Sequence, residues 1–282
     1  MRCFISHNYK NKDSAGNKAK TDIEEIMLGM GFKNIGLPQT SHGNTLAHFL
    51  LNLAGVAKAS FSLKKGDVLV LQYPLKKYYT CLCKMAHACG ARTVTIIHDL
   101  GSFRSKHLSV KQEIKRLNNT DYIIAHNESM KKWLVDNGIK TPVGTLGIFD
   151  YLSATEAPDH AACIKHDHPV VLYAGSMHPD KITFFKHLVP HLDKLKFNVY
   201  GSGFNPKSIN GEGKFIPMGF IKSEELIRTG EGDFGLVWDG LNIDCCSGRL
   251  GEYLRYNNPH KASLYLRCNL PLIVWDLSLI HI

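Results

Sequence analysis

The stretch P-V-V-L-Y-A-G, residues 169–175, restarts a pattern that lapses over residues 153–168. It is a short apolar run rich in β-branched residues and closed by a glycine, which reads as a strand buried on both faces. Four runs of the same kind follow: F-N-V-Y-G (197–201), K-F-I-P-M-G (214–219), F-G-L-V-W-D (234–239) and L-P-L-I-V-W-D (270–276). Before the lapse stand R-C-F-I-S (2–6), D-V-L-V-L-Q (67–72), T-V-T-I-I-H (93–98) and Y-I-I-A-H (122–126). Helical patterns near 18–30, 43–58, 76–89, 109–117 and 128–136 separate and follow these. Strands alternating with helices predict parallel α/β architecture. Gly31, Gly90 and Gly138 fall where helices should stop, and Asn127 and Ser129 are candidate caps.

The expected organisation is therefore two Rossmann-like domains, 1–150 and 169–276, with the polar and small residues of 151–168 as linker. The halves share architecture but no sequence repeat. The last six residues, L-S-L-I-H-I (277–282), follow a strand where a helix should come. They match the translation of a transposon end used in sequencing-library preparation. They are read as a non-native scar, the natural chain being expected to continue beyond them.

Composition narrows the function classes. The 282 residues are 44% hydrophobic and 21% charged, as in a soluble globular protein. No apolar run is long enough to span a bilayer, and the start M-R-C-F-I-S-H-N reads as a first strand rather than a signal peptide, so a cytoplasmic location is expected. Eight cysteines without a C-x-x-C pair predict reduced thiols. His160, His166 and His168 lie in a polar stretch that reads as solvated linker rather than zinc site.

The net charge of +9 is lopsided: residues 1–150 hold 21 Lys/Arg and 11 Asp/Glu, against 13 and 14 in 151–282. The basic half should meet something anionic, be it nucleic acid, a membrane surface or a phosphorylated substrate, or else the charge serves solubility.

Ligands of open α/β sheets bind beyond the carboxyl ends of the strands. In the second half those ends carry A-G-S-M-H-P-D-K, with Gly175, Ser176 and Lys181; G-S-G (201–203); G-F-I-K-S, with Gly219, Phe220, Ile221, Lys222 and the candidate helix cap Ser223; and D-G, with Asp239. The most specific stretch is R-Y-N-N-P-H-K-A-S-L-Y-L (255–266). Pro259 suits a first helical turn, Asn257 and Asn258 occupy cap positions, and His260 and Lys261 add donors where the helix dipole is already positive. A cation there is reasonable if the helix N-terminus and Lys261 hold a phosphate or diphosphate. Alternatively this is a capped core helix whose lysine reaches solvent.

With its flanks, D-G…C-S-G-R-L-G-E-Y-L-R-Y-N-N-P-H-K-A-S-L-Y-L…L-P-L-I-V-W-D resembles the C-terminal half of bacterial β-1,6-galactofuranosyltransferases, and more distantly the glucosyltransferase 3 family. The resemblance runs upstream through V-V-L-Y-A-G, H-N-E-S-M, I-I-H-D-L and D-S-A-G-N-K-A-K-T-D (13–22). It implies a GT-B fold, two Rossmann-like domains facing a cleft, and transfer of a hexose, galactofuranose, from a UDP-sugar to a glycan acceptor in cell-surface polysaccharide synthesis. It implies UDP contacts at Gly16, Lys181, Gly219 to Lys222 and Asn257 to Ala262.

The first half should then serve the acceptor. Ser14, Gly16 and Lys18 follow strand one. Asp99 is a candidate general base with His98 beside it, unless the pair is a cap and a structural histidine. Arg104 is a candidate for an anionic acceptor. No D-x-D motif suits a divalent metal and no cofactor is implied; Lys261 and the helix dipole would stabilise the leaving diphosphate.

Polysaccharide acceptors of this class are built on lipid-linked pyrophosphate at the inner membrane face, so K-K-Y-Y (76–79) and K-K-G (64–66) are candidates for peripheral contact with anionic lipid. A homo-oligomer is compatible with this reading. Three others compete: a UDP-glucose-dependent enzyme extending a protein O-glycan, a nucleic-acid-binding protein using the basic half, and a nicotinamide-dependent oxidoreductase. No helix-turn-helix, zinc-finger or RNP signature supports nucleic acid, and no G-x-G-x-x-G follows the first strand of either half.

Overall fold

The computed structural model describes residues 1–7, 9, 15–41, 43–75, 78–105, 107–158, 168–229 and 231–278. Ser14, Lys76, Lys77, His160 and His166 lie outside the described residues. The chain divides into two compact units, Met1–Gly147 and Ile148–Ile282.

The first unit runs β1 (Arg2–Phe4), α1 (Ala15–Gly29), β2 (Lys33–Asn34), α2 (Thr45–Ser62), β3 (Val68–Tyr73), α3 (Tyr79–Ala88) and β4 (Arg92–Ile97). It continues through α4 (Gly101–Arg104), α5 (Val110–Leu117), β5 (Tyr122–Ala125), α6 (Glu128–Asp136) and β6 (Val143–Thr145). All pairings are parallel, in the order β2-β1-β3-β4-β5-β6. β3 is buried along nearly its whole length, which explains its unbroken apolar run.

Local chemistry fixes the helix ends. The Asn44 side chain accepts the Leu46 and Ala47 N–H groups at 2.9 and 3.2 Å, Ser109 and Gln112 form a capping box on α5, and Asn127 accepts from Met130 N at 2.9 Å. Ser129 lies inside α6, so Asn127 alone is its cap. Gly31, Gly90 and Gly138 do turn left-handed just past α1, α3 and α6.

The second unit runs β7 (Val170–Ala174), α7 (Pro179–Ile182), α8 (Phe184–Leu188), β8 (Lys196–Tyr200), β9 (Phe215–Gly219), α9 (Ser223–Thr229), β10 (Phe234–Val237), α10 (Gly248–Glu252), α11 (His260–Arg267) and β11 (Leu272–Val274). Its parallel order is β11-β10-β7-β8-β9. The period-two alternation of β7 sorts its side chains into two cores. Val171 and Tyr173 join Phe184, Phe185, Phe197 and Phe215 on one face, and Leu172 joins Ala262 and Tyr265 on the other.

Two strands escape the sequence reading: β2 and β6 have two and three residues, too few to show a period. β11 covers only three residues of the 270–276 run. Part of the stretch read as linker is fastened down. Ser153 and Thr155 donate to Glu224 of α9, Arg267 of α11 donates to the carbonyls of both, and Asn269 donates to Pro158 O at 3.2 Å.

Candidate active site

In the second sheet the chain moves from β7 through β8 to β9, then returns to the other side of β7 for β10 and β11. The reversal leaves a crevice between the carboxyl ends of β7 and β10, where such sheets bind ligands. β10 delivers Trp238 and Asp239 there, and β7 delivers Tyr173 and Gly175.

Asp239 is buried and gathers three donors. Lys261 Nζ lies 2.8 Å from its Oδ1, Lys181 Nζ 3.0 Å from its Oδ2, and the Tyr173 hydroxyl donates to Oδ1 at 3.3 Å. Lys261 also lies 3.4 Å from Trp238 O and 4.6 Å above the centre of the Tyr173 ring, a cation–π contact. Two ammonium groups against one carboxylate leave a cationic cluster.

Burial drives the Asp239 carboxyl up, but Lys261 and Lys181 outweigh it and hold the group below the usual carboxylate range. Burial lowers Lys261, and Asp239 offsets only part of that. α7, opened by Pro179, is tied to the same loop: Gly240 N donates to Lys181 O at 2.9 Å and Phe184 N to Gly240 O at 3.2 Å.

Lys261 projects from the first turn of α11. That helix begins at His260, with Pro259 in extended conformation as its cap residue, and a proline side chain has no acceptor to offer the first N–H groups. The cap position falls on Pro259 rather than on Asn257 or Asn258, because the chain stays extended through Pro259, one residue later than the sequence suggests. Asn257 is buried, and its Oδ1 meets no hydrogen-bond donor among the described residues. His260 stacks on Tyr151 at 4.7 Å between ring centres and meets Phe149 edge-on at 6.2 Å.

Tyr265, one turn on, accepts Ala174 N–H at 2.7 Å and lies against Gly235, where a Cβ would come 2.4 Å from its ring. Gly235 thus has to be glycine for α11 to approach the sheet. A helix N-terminus whose cap residue is a proline, beside a buried cationic cluster, is suited to a phosphate-bearing anion.

The other donor-side residues sit on the same sheet edge. Gly219 ends β9 at φ +73°, its carbonyl accepting Gly201 N–H at 2.8 Å, and Ile221 packs into the core that holds Ala262 and Tyr265. Phe220, Lys222, Gly175 and Ser176 are exposed. Ser223 is the first residue of α9 rather than the residue before it.

In the first unit, His98 Nε2 lies 2.7 Å from Gln72 Oε1, and Gln72 Nε2 donates to Lys20 O at 3.2 Å. The ends of β3 and β4 are thereby linked to α1. Asp99 accepts from Arg104 Nε at 2.8 Å, so these two candidates are partners of each other. Gly16 lies in the first turn of α1 rather than in a loop, and Lys18 pairs with Asp22 one turn along. Buried Glu113 accepts from Tyr73 OH at 2.8 Å, Gly101 N at 2.6 Å and Ser102 N at 2.9 Å, which fixes the turn after Asp99.

The sequence reading did not find Tyr173, Tyr151, Glu24 or Glu113. A buried tyrosine at a strand end needs a partner for its hydroxyl, which was the available signal for Tyr173. Glu24 accepts from Ser6 OH and Tyr9 OH, both at 2.6 Å, and Gln39 Nε2 at 3.0 Å, beside a cavity of about 450 Å³ lined also by Lys18, Asp22 and Asn34. Nothing local marks Glu24 among the acids of α1. Among the described residues, no three His, Cys, Asp or Glu side chains converge as a metal site, and no helix is long and apolar enough to cross a membrane.

Two parallel Rossmann-type sheets of this kind are the architecture of the GT-B fold. The fold matches the lipopolysaccharide outer core galactosyltransferase WaaB at a TM-score of 0.59, with 14% identity over 97% of this chain and 80% of that one. It matches an α-glucosyltransferase, solved with UDP and a 13-mer DNA, at 0.50, with 15% identity over 98% and 80%. The chain belongs to the glucosyltransferase 3-like family, whose N-terminal domain matches residues 2–148 and C-terminal domain residues 171–281. It is 28% identical over 270 residues to the β-1,6-galactofuranosyltransferase WbbI of Escherichia coli (strain K12), covering 95% of this chain and 77% of that protein.

Proposed function

We propose that the protein transfers galactofuranose from UDP-galactofuranose to a hydroxyl group of a glycan acceptor during cell-surface polysaccharide assembly. The observation that carries the reading is the cationic cluster of Lys181, Lys261 and Asp239 beside the proline-capped start of α11. In the reaction the acceptor oxygen bonds to the anomeric carbon, the bond from that carbon to the β-phosphate oxygen breaks, and UDP leaves with the electron pair. The two lysines and the first N–H groups of α11 stabilise the charge that grows on the diphosphate, without a divalent cation. Asn257, with a buried acceptor, takes a donor of the nucleotide or sugar; Gly219 to Lys222, Asn258 to Ala262 and Gly16 complete the UDP contacts, with Gly175 and Ser176 near the sugar.

Asp99 receives the acceptor proton, positioned by its Arg104 partner, and His98 orients the same hydroxyl. Ser14 and Lys18 belong to the acceptor side. Galactofuranose as the sugar is supported by the 28% identity to the galactofuranosyltransferase. The glucosyltransferase 3-like family description favours UDP-glucose as the second reading, with a protein-borne glycan as acceptor.

The test is the thermal shift of the full chain with UDP, UDP-galactofuranose, UDP-glucose and NADH in parallel. The expected result is a shift with UDP that Lys261→Ala abolishes, a larger one with the true donor, and none with NADH. No shift with any UDP compound would overturn the reading. Salt-sensitive retention on a polyanion without a UDP effect would point to nucleic acid instead.

A further inference from the structure

Helix α2 carries an apolar face that the protein leaves in solvent. Leu46, Phe49, Leu50, Leu53 and Phe61 are 66, 40, 53, 45 and 92% exposed. Their spacing, with exposed Ala54 and Ala57 between them, places them on one stripe along the helix. The opposite side, through Val56 and Ala59, is buried in the first unit. The helix is thus apolar on both faces, and only one face is used for folding.

The charge along the chain on either side of this stripe is of one sign. From Ile26 to Gly66 the chain contains no acidic residue, and its lysines are Lys33, Lys58, Lys64 and Lys65. Lys58 is turned to Gly36 O at 2.9 Å, whereas Lys64 and Lys65 stand exposed just past the end of the stripe. The next acid, Asp67, is occupied by the N-terminal ammonium group at 2.7 Å and Lys64 N–H at 2.9 Å. We infer that α2 is a membrane-docking surface: it lies in the plane of an anionic lipid bilayer, apolar stripe inserted and Lys64 and Lys65 on the headgroups. An outward apolar face with exposed cations at its end matches the two components of such a surface, acyl chains below and phosphates at the boundary. Self-association fits less well, since the same segment of a second copy, without an acidic residue from 26 to 66, brings no counter-charge to Lys64 and Lys65.

The experiment is co-sedimentation of the full chain with vesicles of phosphatidylcholine, with and without about one-third phosphatidylglycerol. Expected is partitioning to the anionic vesicles only, weakening as salt rises. Lys64→Ala with Lys65→Ala should weaken it roughly 30-fold, and Leu50→Ser with Leu53→Ser should abolish it. All four positions are exposed, so the melting temperature should hold. Hydrogen exchange on the wild-type chain supplies a reading free of variants: anionic vesicles should slow exchange across 45–62 and leave the second unit unchanged.

Equal partitioning to neutral vesicles, partitioning that survives Leu50→Ser with Leu53→Ser, or none at all would overturn the inference. So would a wild-type dimer that the serine variant dissolves, which would seat a second copy on the stripe. The inference is independent of the donor site: Lys261→Ala should bind vesicles as the wild type does, so each reading can fail alone.

Discussion

Replacing Asp239 by asparagine keeps the shape of the cluster and removes its only negative charge. With an effective dielectric constant near 20, each ammonium–carboxylate contact at 2.8 or 3.0 Å is worth about 6 kcal/mol of gross Coulomb energy, most of it offset by desolvation. What remains after substitution is two lysines with side chains 12 and 19% exposed and no counter-ion in the cluster. Breaking a buried pair in this way costs about 3–5 kcal/mol.

Loss of a proton limits that cost. Asp239 is what props up the Lys261 ammonium against burial, so the variant's lysine titrates lower still. A lysine depressed in the folded state binds more protons when unfolded, and stability then rises with pH between its folded value and its ordinary 10.5. The deficit of the variant should therefore narrow between pH 7 and pH 9.5.

The assay is urea denaturation in a Trp133→Phe background, so that Trp238 and Trp275 report the second unit alone. A deficit below about 1 kcal/mol at pH 7 would show that water screens the cluster. A deficit that stays constant with pH would refute the account of Lys261.

Other outcomes follow from separate parts of the molecule. His126 is buried against Ile97 O at 2.9 Å, and burial lowers it from 6.5 to about 4. Its contribution is complete above pH 6.5 and is lost as pH falls toward 4, so the first unit should lose about 2 kcal/mol between pH 7 and pH 5, a slope that His126→Gln removes in pH-dependent denaturation. Gly235→Ala puts a methyl group into the Tyr265 ring and should cost about 1–3 kcal/mol by urea melts, with weaker UDP binding as α11 is pushed off the sheet. Asn44→Ala removes the cap of α2 and should cost about 1 kcal/mol by the same melts. Transferase activity should survive EDTA, because the lysines and the α11 N-terminus supply the positive charge; its loss would reassign that role to a metal.

The sequence by itself determined the class of fold. The buried runs of β3, β4, β7 and β10 and the glycines at 31, 90 and 138 act over a few residues, where local sterics and burial decide the outcome. The R-Y-N-N-P-H-K stretch likewise announced a helix start with cations in its first turn.

Tertiary structure decided what those cations do. Asp239 meets Lys261 across 22 residues of chain and Lys181 across 58, a pairing that exists only because the strand order reverses beside β7. Asp239, an isolated acid in the sequence, becomes the centre of the site for that reason. Glu24 and Glu113 gain their roles from strand ends and turns brought to them, which no neighbouring residue encodes. For α2 the sequence shows an apolar helix and gives no sign of which side faces out. That side was settled by which stripe the rest of the first unit covered, since burial is a property of the packed chain and not of the helix.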